Sequence, residues 1–144
     1  MTMAQKYNLL VIDDEQPIMD EIKSYFEKRD FTVTTALSGE EGLEKLRHQA
    51  FDVALIDLCM PTMSGLEVIE TINAELIPVS IAILTGHGGE KEAIAALNMG
   101  GIVHAWFAKG KYDMDDFYQR VKKLAQVIPD DKLDDFFSMF ETAA

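Results

Sequence analysis

Cysteine is nearly absent from this sequence, since Cys59 is the single one among 144 residues. One cysteine excludes a disulfide within the chain. Residues 1–6 contain no basic stretch followed by an apolar one, so they do not have the pattern of a secretory signal. Because proteins without disulfides or export signals belong to reducing compartments, we expect a cytoplasmic protein.

Basic residues are also scarce. The 13 Lys and Arg side chains are outnumbered by 25 Asp and Glu, which gives a formal net charge of -12. Phosphate backbones and anionic lipid surfaces attract basic proteins and repel acidic ones. We therefore expect this domain to bind neither nucleic acid directly nor a membrane.

Long hydrophobic runs are missing as well. The apolar runs, such as Leu9–Ile12, are short, whereas a helix that crosses a bilayer needs about 20 apolar residues. With 48% apolar and 26% charged residues, the composition is that of an ordinary globular domain. The sequence predicts a soluble protein with one principal domain.

Short apolar, β-branched runs alternate regularly with helical patterns along the chain. Five such runs predict strands, at residues 8–12, 31–35, 53–56, 79–84 and 102–107. Helix starts are visible between them: Pro17 suits a first helical position, and Ser38 with Glu41 has the spacing of a capping box. This alternation predicts a doubly wound α/β fold, a parallel sheet with helices on both faces.

Polar side chains follow four of the predicted strands at their carboxyl ends, where ligands of open parallel sheets bind. They are Asp13, Asp14, Asp57, Thr85 and Lys109. Each of them alone is an ordinary turn, capping or surface residue. In the flavodoxin-like strand order 2-1-3-4-5, however, they converge on a single pocket, and their conjunction indicates a functional site.

The chemistry of that pocket follows from its charges. Three neighbouring carboxylates repel one another and must take up protons or recruit a cation. Oxygen ligands of this kind suit Mg²⁺, and without a His or Cys cluster zinc is not expected. A divalent ion and the ammonium of Lys109 would neutralise the carboxylates and leave room for a phosphoryl group, with one carboxylate as the nucleophile.

In chain order these motifs resemble the receiver domains of bacterial two-component response regulators. The resemblance covers about residues 7–126 and rests on the run Asp13-Asp14-Glu15, on Asp57 with the segment 58–67, on Thr85-Gly86 and on Lys109. It implies a five-stranded sheet and a phosphoprotein of a phosphorelay. Such a domain is a signalling switch and not an enzyme, apart from its own phosphorylation and dephosphorylation.

The resemblance implies a role for each residue of the acidic site. Asp57 is the implied phosphoacceptor, taking a phosphoryl group from a partner histidine kinase or phosphotransfer protein. Asp13 and Asp14 are the implied Mg²⁺ ligands, one of them through water. Asp57 and the backbone carbonyl of Cys59 complete the ligand set, and Mn²⁺ is an alternative ion.

The same resemblance implies a switch. Lys109 pairs with the phosphoryl oxygens, Thr85 moves to hydrogen-bond the phosphoryl group, and Trp106 stands at the aromatic position that swings inward behind it. The responsive surface is formed by the fourth helix, the fifth strand and the fifth helix, about residues 90–126. This surface is expected to contact a downstream protein or a fused output domain, or to form a phosphorylation-linked dimer.

Two residues depart from the pattern of the family, and the roles of two more are undecided between function and structure. Gly110 follows Lys109 where a proline with a cis peptide bond is usual, so we predict a trans bond and a different loop path. Trp106 is larger than the residue commonly found at its position. Cys59 and His87 occupy positions where the family tunes access of the hydrolytic water, although packing for Cys59 and a loop position for His87 are the favoured explanations.

The pattern changes after the receiver domain, which we place at residues 1–128. Pro129 opens a segment over 129–144 that predicts an acidic amphipathic helix. Its apolar stripe and its acidic residues are Leu133, Phe136, Phe137 and Phe140, and Asp130, Asp131, Asp134, Asp135 and Glu141. This helix packs on its own domain, docks on a partner, forms a dimer or begins a linker to an output domain.

Three function classes compete for this sequence. A phosphorylation-switched receiver uses all five site residues. A pseudo-receiver keeps the fold as a protein-binding module without switching, which Gly110 and Trp106 leave open, and a regulatory domain cut from a larger regulator is a related alternative. An enzyme on the same fold is disfavoured because Cys59 stands where a phosphatase needs a second aspartate.

Overall fold

The computed structural model describes residues 6–86, 90–98 and 101–126. The strands are β1 Tyr7–Ile12, β2 Phe31–Ala36, β3 Val53–Asp57, β4 Ser80–Thr85 and β5 Val103–Ala108. The helices are α1 Gln16–Glu27, α2 Gly39–His48, α3 Gly65–Ala74, α4 Glu90–Leu97 and α5 Met114–Ala125. Every strand is parallel to its neighbours, and the order β2-β1-β3-β4-β5 confirms the predicted flavodoxin-like topology.

Alternation along the strands divides the core into two layers. Leu9 and Val11 of β1 pack with apolar residues of α1 and α5 on one face of the sheet. Leu10 and Ile12 pack on the other face, in a cluster that includes residues of α2, α3 and α4. Both faces of the central strands are therefore dry, which is why their sequences are continuously apolar.

The observed starts of α1 and α2 agree with the predicted ones to within one residue. Ser38 caps α2, its Oγ accepting the Glu41 N–H at 3.2 Å, while the Glu41 carboxylate accepts the Leu37 N–H at 2.9 Å. The prediction that Pro17 begins α1 is wrong by one residue, because Glu15 is the N-cap and Gln16 the first helical residue. A proline is tolerated at the second position because the first four amides of a helix have no intrahelical partner.

Strand β5 lies at the edge of the sheet and its pairing with β4 is irregular. The register shifts between Ile81 and Ala82. There the side chain of His104 substitutes for a backbone acceptor, since its Nδ1 accepts the Ile81 N–H at 3.2 Å. Beyond this irregularity Ile83 pairs with Trp106 and Thr85 with Ala108, so the end of β5 is in register with the end of β4.

Two predicted features fall on residues outside the described ranges. They are the loop residue His87 and the amphipathic helix over 129–144. Among the helices described, none combines the length and the apolar composition that a bilayer span needs.

Candidate functional site

The carboxylates meet because two adjacent strands end side by side. Ile12 of β1 pairs with Ile56 of β3, so Asp13 follows its strand next to Asp57, the last residue of β3. The side chains of Asp13 and Asp57 are buried, with 0% and 1% exposure, whereas Asp14 is exposed. One carboxylate oxygen from each of Asp13, Asp14 and Asp57 lies within 4.8 Å of the other two.

Lys109 supplies the positive charge at the centre of this cluster. Its Nζ lies 2.9 Å from Asp13 Oδ2 and 3.1 Å from Asp57 Oδ2. The Lys109 backbone N–H donates to the Thr85 carbonyl at 2.9 Å, which continues the β4–β5 ladder and sets where the side chain begins. Only 8% of that side chain is exposed, so its ion pairs are shielded from water.

Each buried carboxylate has one oxygen with a backbone donor and one without any hydrogen bond. Asp13 Oδ1 accepts the Glu15 N–H at 2.9 Å, and Asp57 Oδ1 accepts the Cys59 N–H at 3.1 Å. Asp13 Oδ2 and Asp57 Oδ2 are buried and receive no hydrogen bond. Both form ion pairs with Lys109 Nζ, but the geometry of these contacts is not that of a hydrogen bond. Because buried oxygens of this kind are costly, the cluster fits a metal ion, which would satisfy them.

Burial and repulsion disturb the proton equilibria of the site. Burial and the neighbouring charge of Asp13 raise the pKa of Asp57 to about 7, although the Cys59 N–H and Lys109 act in the opposite direction. Burial disfavours the ammonium of Lys109, but its hydrogen bond to Asp13 Oδ1 and the charges of Asp13 and Asp57 outweigh burial and hold the Lys109 pKa above its ordinary value. The ionised carboxylate of Asp57 therefore destabilises the folded chain when no cation is bound.

The other predicted site residues do not all face the carboxylates. The Thr85 hydroxyl donates to the Phe107 carbonyl at 3.4 Å, so it is bonded to β5. Trp106 lies on β5 opposite Ile83 of β4, with 48% of its surface exposed. Cys59 is exposed in the loop after β3. The peptide bond between Lys109 and Gly110 is trans, as predicted, and Gly110 has a φ of +70°.

Two neighbours of the site were not identified from the sequence. Glu15 Oε1 lies 3.2 Å from Lys109 Nζ, so this exposed carboxylate shares the ammonium with the buried pair. The position of Glu15 in the acidic run after β1 was the sequence signal that could have identified this contact.

A cleft of about 400 Å³ adjoins Lys109 and opens to solvent. It is lined by Glu15, Ile18, Glu21, Gly86, Lys109, Gly110 and Tyr112.

Gly65 was also not identified, although it fixes the backbone under Asp57. A Cβ at Gly65 would lie 2.4 Å from the Asp57 carbonyl oxygen and 2.6 Å from Leu58 Cα. The Gly65 N–H donates to the Leu58 carbonyl at 3.1 Å. The start of α3 can approach the end of β3 this closely only because residue 65 has no side chain.

Comparison with known proteins decides the family. The family described as Response regulator receiver domain matches residues 9–122, which is more than half of the chain. The chain belongs to the response regulator receiver family. This assignment confirms the resemblance inferred from the motifs.

Individual relatives of this receiver domain agree with the assignment. The response regulator SaeR of Staphylococcus aureus is 32% identical over 93 residues, which are 65% of this chain and 40% of that protein. A receiver domain protein from Clostridium thermocellum has a TM-score of 0.74 at 30% identity, covering 83% of this chain and 94% of the other. This receiver chain thus matches less than half the length of SaeR.

A third relative carries a ligand in its structure. The response regulator TrrA of Thermotoga maritima, solved in complex with Mg²⁺-BeF, has a TM-score of 0.71 at 28% identity. The alignment covers 82% of this receiver and 98% of TrrA.

Replacing Gly65 by alanine is expected to lower the free energy of unfolding by about 1–3 kcal/mol, since the new methyl overlaps backbone atoms that cannot move aside. Urea unfolding followed by circular dichroism measures the change. Gly86→Ala is the matched control, because its Cβ would meet nothing closer than Lys109 Cδ at 4.0 Å. Equal stability of the two variants would contradict the close approach at Gly65.

Neutralising Asp57 is expected to stabilise the metal-free domain. At pH 8, above the raised Asp57 pKa, Asp57→Asn removes a buried like charge and keeps the oxygen that accepts the Cys59 N–H. The gain in unfolding free energy in EDTA should be roughly 1–3 kcal/mol. Asp14→Asn, at an exposed position, should change stability less, and a loss of stability in Asp57→Asn would refute the argument.

Proposed function

We propose that this chain accepts a phosphoryl group on Asp57 from a phosphohistidine of a partner histidine kinase or phosphotransfer protein. The observation that carries the proposal is the state of Asp57 Oδ2, a buried oxygen without a hydrogen-bond donor that lies 3.1 Å from Lys109 Nζ. A nucleophilic oxygen needs unengaged lone pairs and a nearby positive charge to balance the incoming oxygens. Membership of the receiver family supports this use of the site.

The transfer step balances as a displacement at phosphorus. A bond forms between a carboxylate oxygen of Asp57 and the phosphorus atom while the P–N bond to the donor histidine breaks. The electron pair of that bond remains on the imidazole nitrogen, which takes up a proton from solvent. Lys109 neutralises part of the charge on the phosphoryl oxygens, and the open cleft beside it leaves space for an approaching donor.

Mg²⁺ is the cation that we assign to this site, with Mn²⁺ as a substitute. Asp13, Asp14, Asp57 and the backbone carbonyl of Cys59 would hold it. The two buried oxygens without hydrogen bonds support the assignment, as does the donor set of oxygens alone. When bound, the ion supplies charge neutralisation for the transferring phosphoryl group.

Phosphorylation would act by population shift between two packings of the chain. Thr85 exchanges its bond to the Phe107 carbonyl for one to the phosphoryl group, and Trp106 responds because it precedes Phe107 on β5. The surface that changes comprises α4, β5 and α5. The exposed side chain at Cys59, together with His87, would tune the access of water to the acyl phosphate.

Membership of the family supports a proposal for the partners and the compartment of this switch. Receiver domains are signalling modules, and relatives such as SaeR are longer than the stretch that matches this chain. We therefore propose a downstream protein or a fused output domain as the recipient of the signal, and phosphorylation-linked dimerisation as one form of the response. We place the relay in the cytoplasm, where phosphohistidine donors of this kind act.

Phosphorylation itself is directly testable. Acetyl phosphate and Mg²⁺ should produce one phosphoryl adduct, detected as a mass gain of the intact chain and lost when EDTA is added first. Asp57→Ala should show no adduct, because the nucleophile is gone. The matched control Asp52→Ala removes a carboxylate just before β3, at a site where it accepts the Asn8 N–H, and should leave the adduct in place. An undiminished adduct in Asp57→Ala would refute the acceptor assignment.

Switching distinguishes an active receiver from a pseudo-receiver, the alternative that Gly110 and Trp106 keep open. Beryllofluoride with Mg²⁺ should shift the amide resonances of α4, β5 and α5 in two-dimensional NMR, and Asp57→Asn should abolish the shifts. Shifts confined to residues around Asp57 would instead identify a module that binds the ligand without transmitting it.

A further inference from the structure

The outer side of β5 carries large side chains that no element of the described chain covers. Trp106 is 48% exposed and Ile94 of α4 is 59% exposed. Arg120 and Lys123 of α5 are exposed as well, and Arg120 contacts β5 through the ring of Phe107. We call these four residues, Ile94, Trp106, Arg120 and Lys123, the β5-edge surface.

The β5-edge surface has two flanks, one on the α4 side and one on the α5 side, and they belong to opposite faces of the sheet. Trp106 pairs in register with Ile83, whose side chain lies in the same cluster as Ala93 and Ala96 of α4. Paired residues of parallel strands point to the same face, so Trp106 lies on the α4 side. Phe107 points to the other face, and the Arg120 guanidinium lies 4.5 Å from its ring centre.

The α5 flank is basic and has no acidic partner within the described residues. In residues 6–86, 90–98 and 101–126, no carboxylate pairs with Arg120 or Lys123; Lys122, by contrast, is bound to Asp30 at 2.8 Å. Arg120 and Lys123 are three positions apart, so they lie on one side of α5. The surface thus combines an exposed indole and isoleucine with two available cations.

The chain following α5 has the complementary composition. The segment 129–144 has an apolar stripe at helical spacing, Leu133, Phe136, Phe137 and Phe140. It also contains five acidic residues, Asp130, Asp131, Asp134, Asp135 and Glu141, against one basic residue, Lys132. Acidic and aromatic residues together are what a surface with an exposed indole and two cations would bind.

The segment 129–144 is long enough, and begins close enough to α5, to reach the β5-edge surface. The end of α5 lies near the beginnings of the strands, since the Leu124 carbonyl accepts the Ser80 hydroxyl and Gln126 Nε2 donates to the Tyr7 hydroxyl. Residues 127–130 can span up to about 13 Å when extended. A helix over about 12 of the following residues is about 18 Å long, which matches the roughly 20 Å of a six-residue strand such as β5.

We propose that the segment 129–144 docks in cis on the β5-edge surface of its own domain. Its aromatic stripe covers Trp106 and Ile94, and its acidic residues pair with Arg120 and Lys123. The tether keeps the segment at an effective concentration on the order of millimolar, so modest affinity suffices. The segment then shields the surface through which the proposed switch would act, although the docking itself does not require phosphorylation.

Trp106 is the only tryptophan in the chain, so its fluorescence reports on this surface alone. The test uses the full chain in EDTA without phosphodonor. The double substitution Phe136→Ser and Phe137→Ser should shift Trp106 emission to longer wavelength and raise its acrylamide quenching constant about twofold, because loss of docking uncovers the half of the indole that the described chain leaves exposed. Lys123→Glu should act in the same direction through charge repulsion.

Met139→Ser is the matched control, because it removes an apolar side chain of the same segment that lies off the stripe; its quenching should equal that of the parent. Quenching of the parent must also be independent of protein concentration. Protection of Trp106 that disappears on dilution would assign the surface to a second copy and overturn the proposal. Equal quenching in the parent and the double variant would overturn it as well, while phosphorylation of Asp57 is measured separately by mass.

Discussion

The structure is organised around the repulsion between two buried carboxylates. Asp13 and Asp57 lie at the ends of adjacent strands with their side chains shielded from water, and a single ammonium is shared between them. Glu15 draws on the same ammonium from the solvent side. The metal-free site therefore carries more negative charge than Lys109 can balance, and this excess is the physical reason why the proposed cation and phosphoryl group would bind there.

The topology brings these charges together. With β1 and β3 adjacent, Asp13 and Asp57 lie next to each other at the ends of their strands, and the ammonium of Lys109 reaches them from the end of β5. The apolar strands hold these ends in place because both faces of the sheet are packed. Gly65 tightens the arrangement further by letting α3 begin against the backbone of Asp57.

Much of this could be predicted from the sequence because it follows from periodicity and position. Alternating strands and helices fixed the fold class, and residues at strand ends had to converge once the strand order was known. The pairing of Glu15 with Lys109 could not be predicted, since it depends on where a long side chain points. The acceptor role of His104 in the β4–β5 ladder was equally invisible, because it arises from a register shift with no sequence signature.

The same contacts make β5 the element through which the site would influence the surface in the proposed switch. At its carboxyl end β5 is joined to the site twice, by the Thr85 hydroxyl on the Phe107 carbonyl and by the Lys109 amide on the Thr85 carbonyl. Its neighbour α5 is anchored on its far side, where Lys122 binds Asp30 at 2.8 Å.

On its outer side, by contrast, β5 pairs with no further strand within the part of the chain that the structure describes. In the proposed switch, a change of hydrogen-bond partner at Thr85 would therefore meet more resistance from the packed α5 than from the open edge. Any displacement of β5 would be directed toward the side of the sheet where Trp106 is exposed. In that switch the position of Trp106 at this edge, and not its size alone, would determine how the residue takes part in the response.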